Sequence, residues 1–137
     1  MVTMIAGFPA SGKSTWAKKH FHRILEYDSF AENLGSYEDL DEDRDMVNRQ
    51  FSLLAESGKY DAVVDVFHTR ESRLRILKVC PNAGLVLVVT PLDVCLQRNA
   101  KRSNSLLNND ELRSLAFMWE SIQPSEGFSF VSYISGL

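Results

Sequence analysis

Short β-branched and apolar runs alternate with longer segments of helical period along this chain. The runs Val2–Ala6, Arg23–Tyr27, Ala62–Val66 and Leu85–Thr90 predict strands, and three of the four are nearly all apolar, as strands buried on both faces are. Phe128–Ile134 is richer in serine and suits an edge strand. Between them, Ser14–Phe21, Arg44–Glu56, Arg70–Val79, Leu92–Lys101 and Asp110–Ile122 predict helices. Val47, Phe51 and Leu54 repeat at i, i+4 and i+7, and Leu112, Leu115, Ala116 and Trp119 share one face. Strands alternating with helices predict an α/β fold of three layers, a parallel sheet of four or five strands with helices on both faces.

Length sets the scale. The chain has 137 residues, 45% hydrophobic, which fits one domain with one core and excludes disorder over most of its length. The expected organisation is a single domain over 1–137. No apolar run approaches the roughly 18–20 residues of a membrane span, so no membrane association is expected. The first residues lack a secretory signal layout. Cys80 and Cys95 make no disulfide framework and read as reduced thiols of a cytoplasmic protein, more suited to packing than to nucleophilic attack. His20, His22 and His68 form no zinc spacing with them. The net charge of −3 does not announce a nucleic-acid binder. Glu38, Asp39, Asp41, Glu42, Asp43 and Asp45 crowd one stretch, however, and the remainder is mildly basic. That stretch suits a solvated helix start.

Gly7-Phe8-Pro9-Ala10-Ser11-Gly12-Lys13-Ser14 matches G-x-x-x-x-G-K-[ST]. Glycines let successive N–H groups turn inward on an anion, and the helix that follows adds its N-terminal amides and dipole. Lys13 would reach the β- and γ-phosphates of a nucleoside triphosphate, and Ser14 would offer Mg²⁺ a hydroxyl. A chance match in a chain this long is about one in a few hundred, and the motif sits between an apolar strand and a helix, as its chemistry requires. Gly7 to Thr15 are therefore the candidate nucleotide-binding residues.

Two carboxylates accompany the loop. Asp28 follows the second apolar run, where ligands of open parallel sheets bind; it could take a proton from an acceptor hydroxyl or cap a short helix over Ser29–Leu34. Asp65 follows Ala62-Val63-Val64, where a magnesium- or water-holding acid would sit, though a plain strand end would look the same. Arg98 and Arg102 lie at i, i+4 with Lys101 beside them, ahead of a polar loop. Such a basic helix end suits a lid over about 98–110 whose guanidinium groups balance charge on triphosphate. Trp16 and Trp119 fall on apolar helix faces and suit a core.

With these residues in hand, the chain resembles the kinase domain of bacteriophage polynucleotide kinases, in the adenylate-kinase-like group of P-loop kinases. The likeness covers most of the chain. It runs from Gly7 through Ser14-Thr15-Trp16-Ala17, to Asp28 at the general-base position, to Val63-Val64-Asp65, and to the lid stretch Leu92–Arg102. The resemblance implies the strand order 2-3-1-4-5. It implies an enzyme that passes the γ-phosphate of ATP to the 5′-hydroxyl of DNA or RNA, with Mg²⁺ as cofactor and a nucleic-acid 5′ end as partner. Asp28 would be the base, Lys13 and Mg²⁺ on Ser14 and Asp65 would hold the phosphates, and Arg98 and Arg102 would stabilise the transition state, Arg102 also binding nucleotide. That family has basic acceptor contacts just before the base and three positions after it; here these are Tyr27 and Ala31. Their loss and the acidic balance favour the alternative of a small acceptor: a nucleoside, a modified base or another hydroxyl compound. A nucleotide-binding switch with little turnover is the third reading.

Overall fold

The computed structural model describes residues 1–33, 41–102 and 107–137. Their element order is β1 (Thr3–Ala6), α1 (Lys13–His20), β2 (Ile24–Glu26), α2 (Tyr27–Asn33), α3 (Asp41–Glu56), β3 (Ala62–Val64), α4 (Arg70–Val79), β4 (Gly84–Val89), α5 (Leu92–Lys101), α6 (Asn109–Phe117), a 3₁₀ turn (Pro124–Glu126) and β5 (Val131–Ser135). The strands form one sheet in the order β2-β3-β1-β4-β5, parallel at every pairing. This is the three-layer α/β arrangement expected, with the expected strand order.

Alternation along the strands divides the core. Met4, Ala6, Leu25, Val63 and Leu85 point to one face, where Phe51 and Ala55 of α3 and Ile76 and Leu77 of α4 cover them. Ile5, Ala62, Val64, Val86 and Val88 point to the other, under Ala17 and Trp16 of α1 and Phe21 just beyond its end. Central strands therefore carry apolar residues at nearly every position, because both faces are buried; Thr3 of β1 is the buried polar exception. The carboxyl ends of β1, β2 and β3 run into the phosphate loop, α2 and Asp65 respectively, which brings those segments together at one rim of the sheet.

Several boundaries differ from expectation. β2 stops at Glu26, and Tyr27 opens α2 instead of closing the strand. The Tyr27 hydroxyl donates to Asn48 Oδ1 at 2.8 Å and its ring meets Phe51 edge-on, so packing on α3 wins over strand propensity. β3 stops at Val64, two residues early. α3 starts at Asp41, three residues early, so the acids 41–43 lie in its first turn. Glu38, Asp39 and the end of the anticipated 29–34 helix lie outside the described residues. α6 ends at Phe117 instead of Ile122: the Glu120 N–H donates to His68 O at 2.8 Å, pulling the chain onto the loop after β3. Trp119 therefore sits beyond the helix and is only half-buried. Trp16 is likewise half-buried, stacked on His20. β5 begins at Val131 and runs to Ser135, because Phe128 turns inward onto the core before the strand starts.

Candidate active site

Gly12 is the pivot of the loop between β1 and α1. Its φ of 97° suits a residue without Cβ, and it caps α1 with no side-chain hydrogen bond. The first amides of α1 thus have no side-chain acceptor of their own, the arrangement that receives an anion. Ala10 also has a left-handed backbone, φ 65°. The loop closes on itself through Ser11 N–H to Phe8 O at 3.0 Å. The Ser11 hydroxyl is fully buried and meets no hydrogen-bond partner.

Lys13 is buried, and its Nζ donates to Phe8 O at 3.2 Å. Burial lowers its pKa, and the charges of Asp28 and Asp65 oppose that shift while Arg102 adds to it. These four groups therefore share one electrostatic neighbourhood. Lys13, Ser14, Thr15 and Asp28 line a single cavity of about 820 Å³ together with Arg98 and Arg102. Its cationic side chains Lys13, Lys18, Lys19, Arg98 and Arg102 outnumber the carboxylates Glu26 and Asp28, against the sign of the whole chain. A polyanion is drawn to such a surface.

Asp28 lies in the first turn of α2, exposed to the cavity, one residue past the position a strand end would give it. Asp65 follows β3 and accepts the Val66 N–H on Oδ1 at 2.7 Å. Burial pushes its pKa up to about 6; the Val66 N–H and Lys13 pull against this, while Asp28 adds to it. Among the described residues no three His, Cys, Asp or Glu side chains form a metal cage. Mg²⁺ carried by nucleotide phosphates needs only one or two protein oxygens, a demand the Ser14 hydroxyl in the cavity lining fits; Asp65 is not among the residues that line the cavity and bears on it through its charge on Lys13. The donors around the loop, amides and Lys13, fit the phosphates themselves.

The two arginines of the anticipated lid diverge. Arg102 caps the end of α5 at the cavity. Arg98 turns inward and donates to main-chain carbonyls: Nη1 to Ala10 O at 3.3 Å and Ser11 O at 3.2 Å, and Nη2 to Gly136 O at 2.9 Å. Residues 103–106 of the anticipated lid lie outside the described residues. Asn99, buried, donates to Leu107 O at 2.9 Å and to Asn109 Oδ1 at 3.0 Å.

Sequence reasoning missed Asn99, Thr90, Trp119 and Gly136. Thr90 Oγ1 donates to Ser11 O at 2.7 Å; a polar residue at the carboxyl end of a buried strand was its one available signal. Trp119 meets the loop residue Phe8 edge-on at 5.3 Å, a contact between distant segments that no local pattern carries. Cys95 and Cys80 make only weak Sγ contacts to carbonyls, and burial raises both thiols, in keeping with packing. No helix among the described residues is long and apolar enough to cross a membrane.

Comparison with known proteins agrees with this geometry. Residues 2–119 match the family model described as AAA domain. Among solved structures, a gluconokinase from Sinorhizobium meliloti 1021 superposes with a TM-score of 0.73 at 16% identity, over 98% of this chain and 81% of that one. A sugar kinase from Janibacter sp. HTCC2649 gives 0.74 at 20% identity, over 98% and 84%. A third structure, from Chloroflexus aurantiacus, gives 0.58 at 16%, over 98% and 88%. No curated protein sequence matches. The match over residues 2–119 makes this chain a member of the AAA domain family, and its 2-3-1-4-5 parallel sheet is the fold of the P-loop kinases it superposes on.

Proposed function

We propose that the chain is a kinase that transfers the γ-phosphoryl group of ATP to a hydroxyl of a small acceptor. The observation that carries the reading is that Lys13 and Asp28 line one cavity. Lys13, the loop amides and Arg102 would hold the triphosphate. Mg²⁺, held by Ser14, would neutralise charge on the β- and γ-oxygens. Asp28 would accept the hydroxyl proton as the acceptor oxygen bonds to Pγ and the bridging oxygen leaves with ADP.

Two features favour a small acceptor over the polynucleotide 5′ end that the resemblance implies. Tyr27 and Ala31, which stand where basic contacts would be, are committed to packing: Tyr27 hydrogen-bonds Asn48, and Ala31 is buried. The structural neighbours named above are described as sugar and gluconate kinases.

The test is a labelled γ-phosphate transfer screen across sugars, sugar acids, nucleosides, mononucleotides and 5′-hydroxyl oligonucleotides. Transfer to a small acceptor that changes little with salt is expected. Transfer to oligonucleotides alone, falling steeply with salt through counterion release, would replace this reading by the polynucleotide one. ADP binding without transfer to any acceptor would favour the switch.

A further inference from the structure

The cavity contains one arginine whose guanidinium is directed at protein backbone. Arg98 grips the carbonyls of Ala10 and Ser11 with one nitrogen and that of Gly136 with the other. Thr90 grips Ser11 O a second time. Gly136 comes so close to this point that a Cβ on it would sit 1.9 Å from Thr90 Oγ1 and 2.1 Å from Ser11 O. Its own N–H is tied to Val89 O at 2.9 Å. Three segments thus meet at the outer strand of the phosphate loop: the end of β4, the end of β5 and the face of α5.

The peptide at that point is under strain. Ala10 carries a Cβ at φ 65°, a region that costs a non-glycine residue about 1 kcal/mol or more. A planar trans peptide points its C=O and N–H in opposite directions. Holding Ser11 O from the Arg98 side therefore fixes the Gly12 N–H in the opposite direction, and holding Ala10 O fixes the left-handed turn before it. We propose that Arg98 is a positioning residue: it clamps the Ala10–Ser11 carbonyls against Gly136 and thereby presets the loop's amides for nucleotide. Its fork, more than its charge, does this, since a lysine ammonium cannot span three carbonyls in two directions. The inference rests on the nucleotide-binding reading of the loop but not on the identity of the acceptor.

The experiment is calorimetric titration of Mg·ADP, with no acceptor present, into wild type, Arg98→Lys, Ala10→Gly and the double variant, with melting curves on each. Arg98→Lys, which keeps the charge, is expected to lose about tenfold in ADP affinity, the scale of one or two lost charge-assisted bonds. Ala10→Gly alone, a change in the binding loop itself, is the reference against which the double variant is read. In the double variant the relaxed backbone recovers a good part of the loss, which a general loss of fold stability would not produce. Gly136→Ala, which attacks the same junction from β5, weakens ADP binding in the same way. The clamp is overturned if Arg98→Lys binds ADP as wild type does, or if the glycine gives no recovery. Loss of kcat with ADP affinity intact would also overturn it and return Arg98 to the transferring phosphoryl. Failure of wild type to bind ADP would overturn the kinase reading along with it.

Discussion

The guanidinium of Arg73 donates to both carboxylate oxygens of Glu126, Nε to Oε1 at 2.6 Å and Nη2 to Oε2 at 3.2 Å, with both side chains fully buried. Arg73 also donates to Phe67 O at 2.8 Å and Ser121 O at 3.3 Å, and Glu126 accepts the Gln123 N–H at 2.6 Å. The pair therefore fastens the chain after α6 to the loop that follows β3, where Asp65 lies. Every polar atom involved is engaged, which is the condition for tolerating a buried ion pair.

Removing one partner leaves the other charge buried. Glu126→Ala is expected to cost about 3–5 kcal/mol, and the joint change Arg73→Met with Glu126→Leu to cost less than either single change. Burial alone would raise the Glu126 pKa; the Arg73 guanidinium and Gln123 N–H outweigh it and hold the carboxyl below its ordinary 4.5. A depressed folded value means the carboxylate stabilises the fold above that ordinary value, and the contribution disappears as pH falls through the folded one. Melting curves from pH 7 down to pH 3 should converge for wild type and Glu126→Gln at the acid end. Curves that stay parallel would show that this pair does not govern acid stability.

Asp28→Asn keeps the side-chain shape and removes the proposed base. Phosphoryl transfer should fall about 10²–10⁴-fold while Mg·ADP affinity is retained. Measured side by side, unchanged turnover in this variant would remove Asp28 from the mechanism.

Trp119 touches Phe8 edge-on, so its indole sits against the loop proposed to bind nucleotide. In a Trp16→Phe background, which leaves Trp119 as the one tryptophan, emission should change as ADP binds, with the same midpoint as calorimetry. A flat signal at saturating ADP would show that the Phe8 contact is indifferent to the ligand.

Asn99 joins the end of α5 to the start of α6 through Leu107 and Asn109, and Asn109 returns a bond to Leu96 O at 3.3 Å. Asn99→Ala leaves these acceptors unmet in a half-buried place, a cost at the lower end of about 1–3 kcal/mol. Because Arg102 follows one turn later, the KM for ATP should rise more than kcat falls. Equal loss in both would mark Asn99 as a structural bond only.

Much of the site was legible because its chemistry is written in consecutive residues. Gly7 to Ser14 announces a backbone anion cradle by spacing alone, and the apolar runs around it identify buried parallel strands. Asp28 and Asp65 were legible as residues at strand ends, within one or two positions of where each strand stops. The termini were less legible: Tyr27 joined a helix because its ring and hydroxyl pack on α3, and α6 stopped at Phe117 because His68 captured the next turn. Propensity and periodicity are local, and both endings were set by partners far along the chain.

The amino-acid order by itself determined the α/β class and picked out the glycine-rich loop and the two acids proposed to serve it, since each follows from periodicity or from residues adjacent in the chain. Only the folded chain decided that Arg98 clasps Ala10, Ser11 and Gly136, that Trp119 leans on Phe8 and that Arg73 meets Glu126. Those contacts join segments 38 to 111 positions apart, and their geometry exists only once the parallel sheet has brought the carboxyl ends of its strands to one rim.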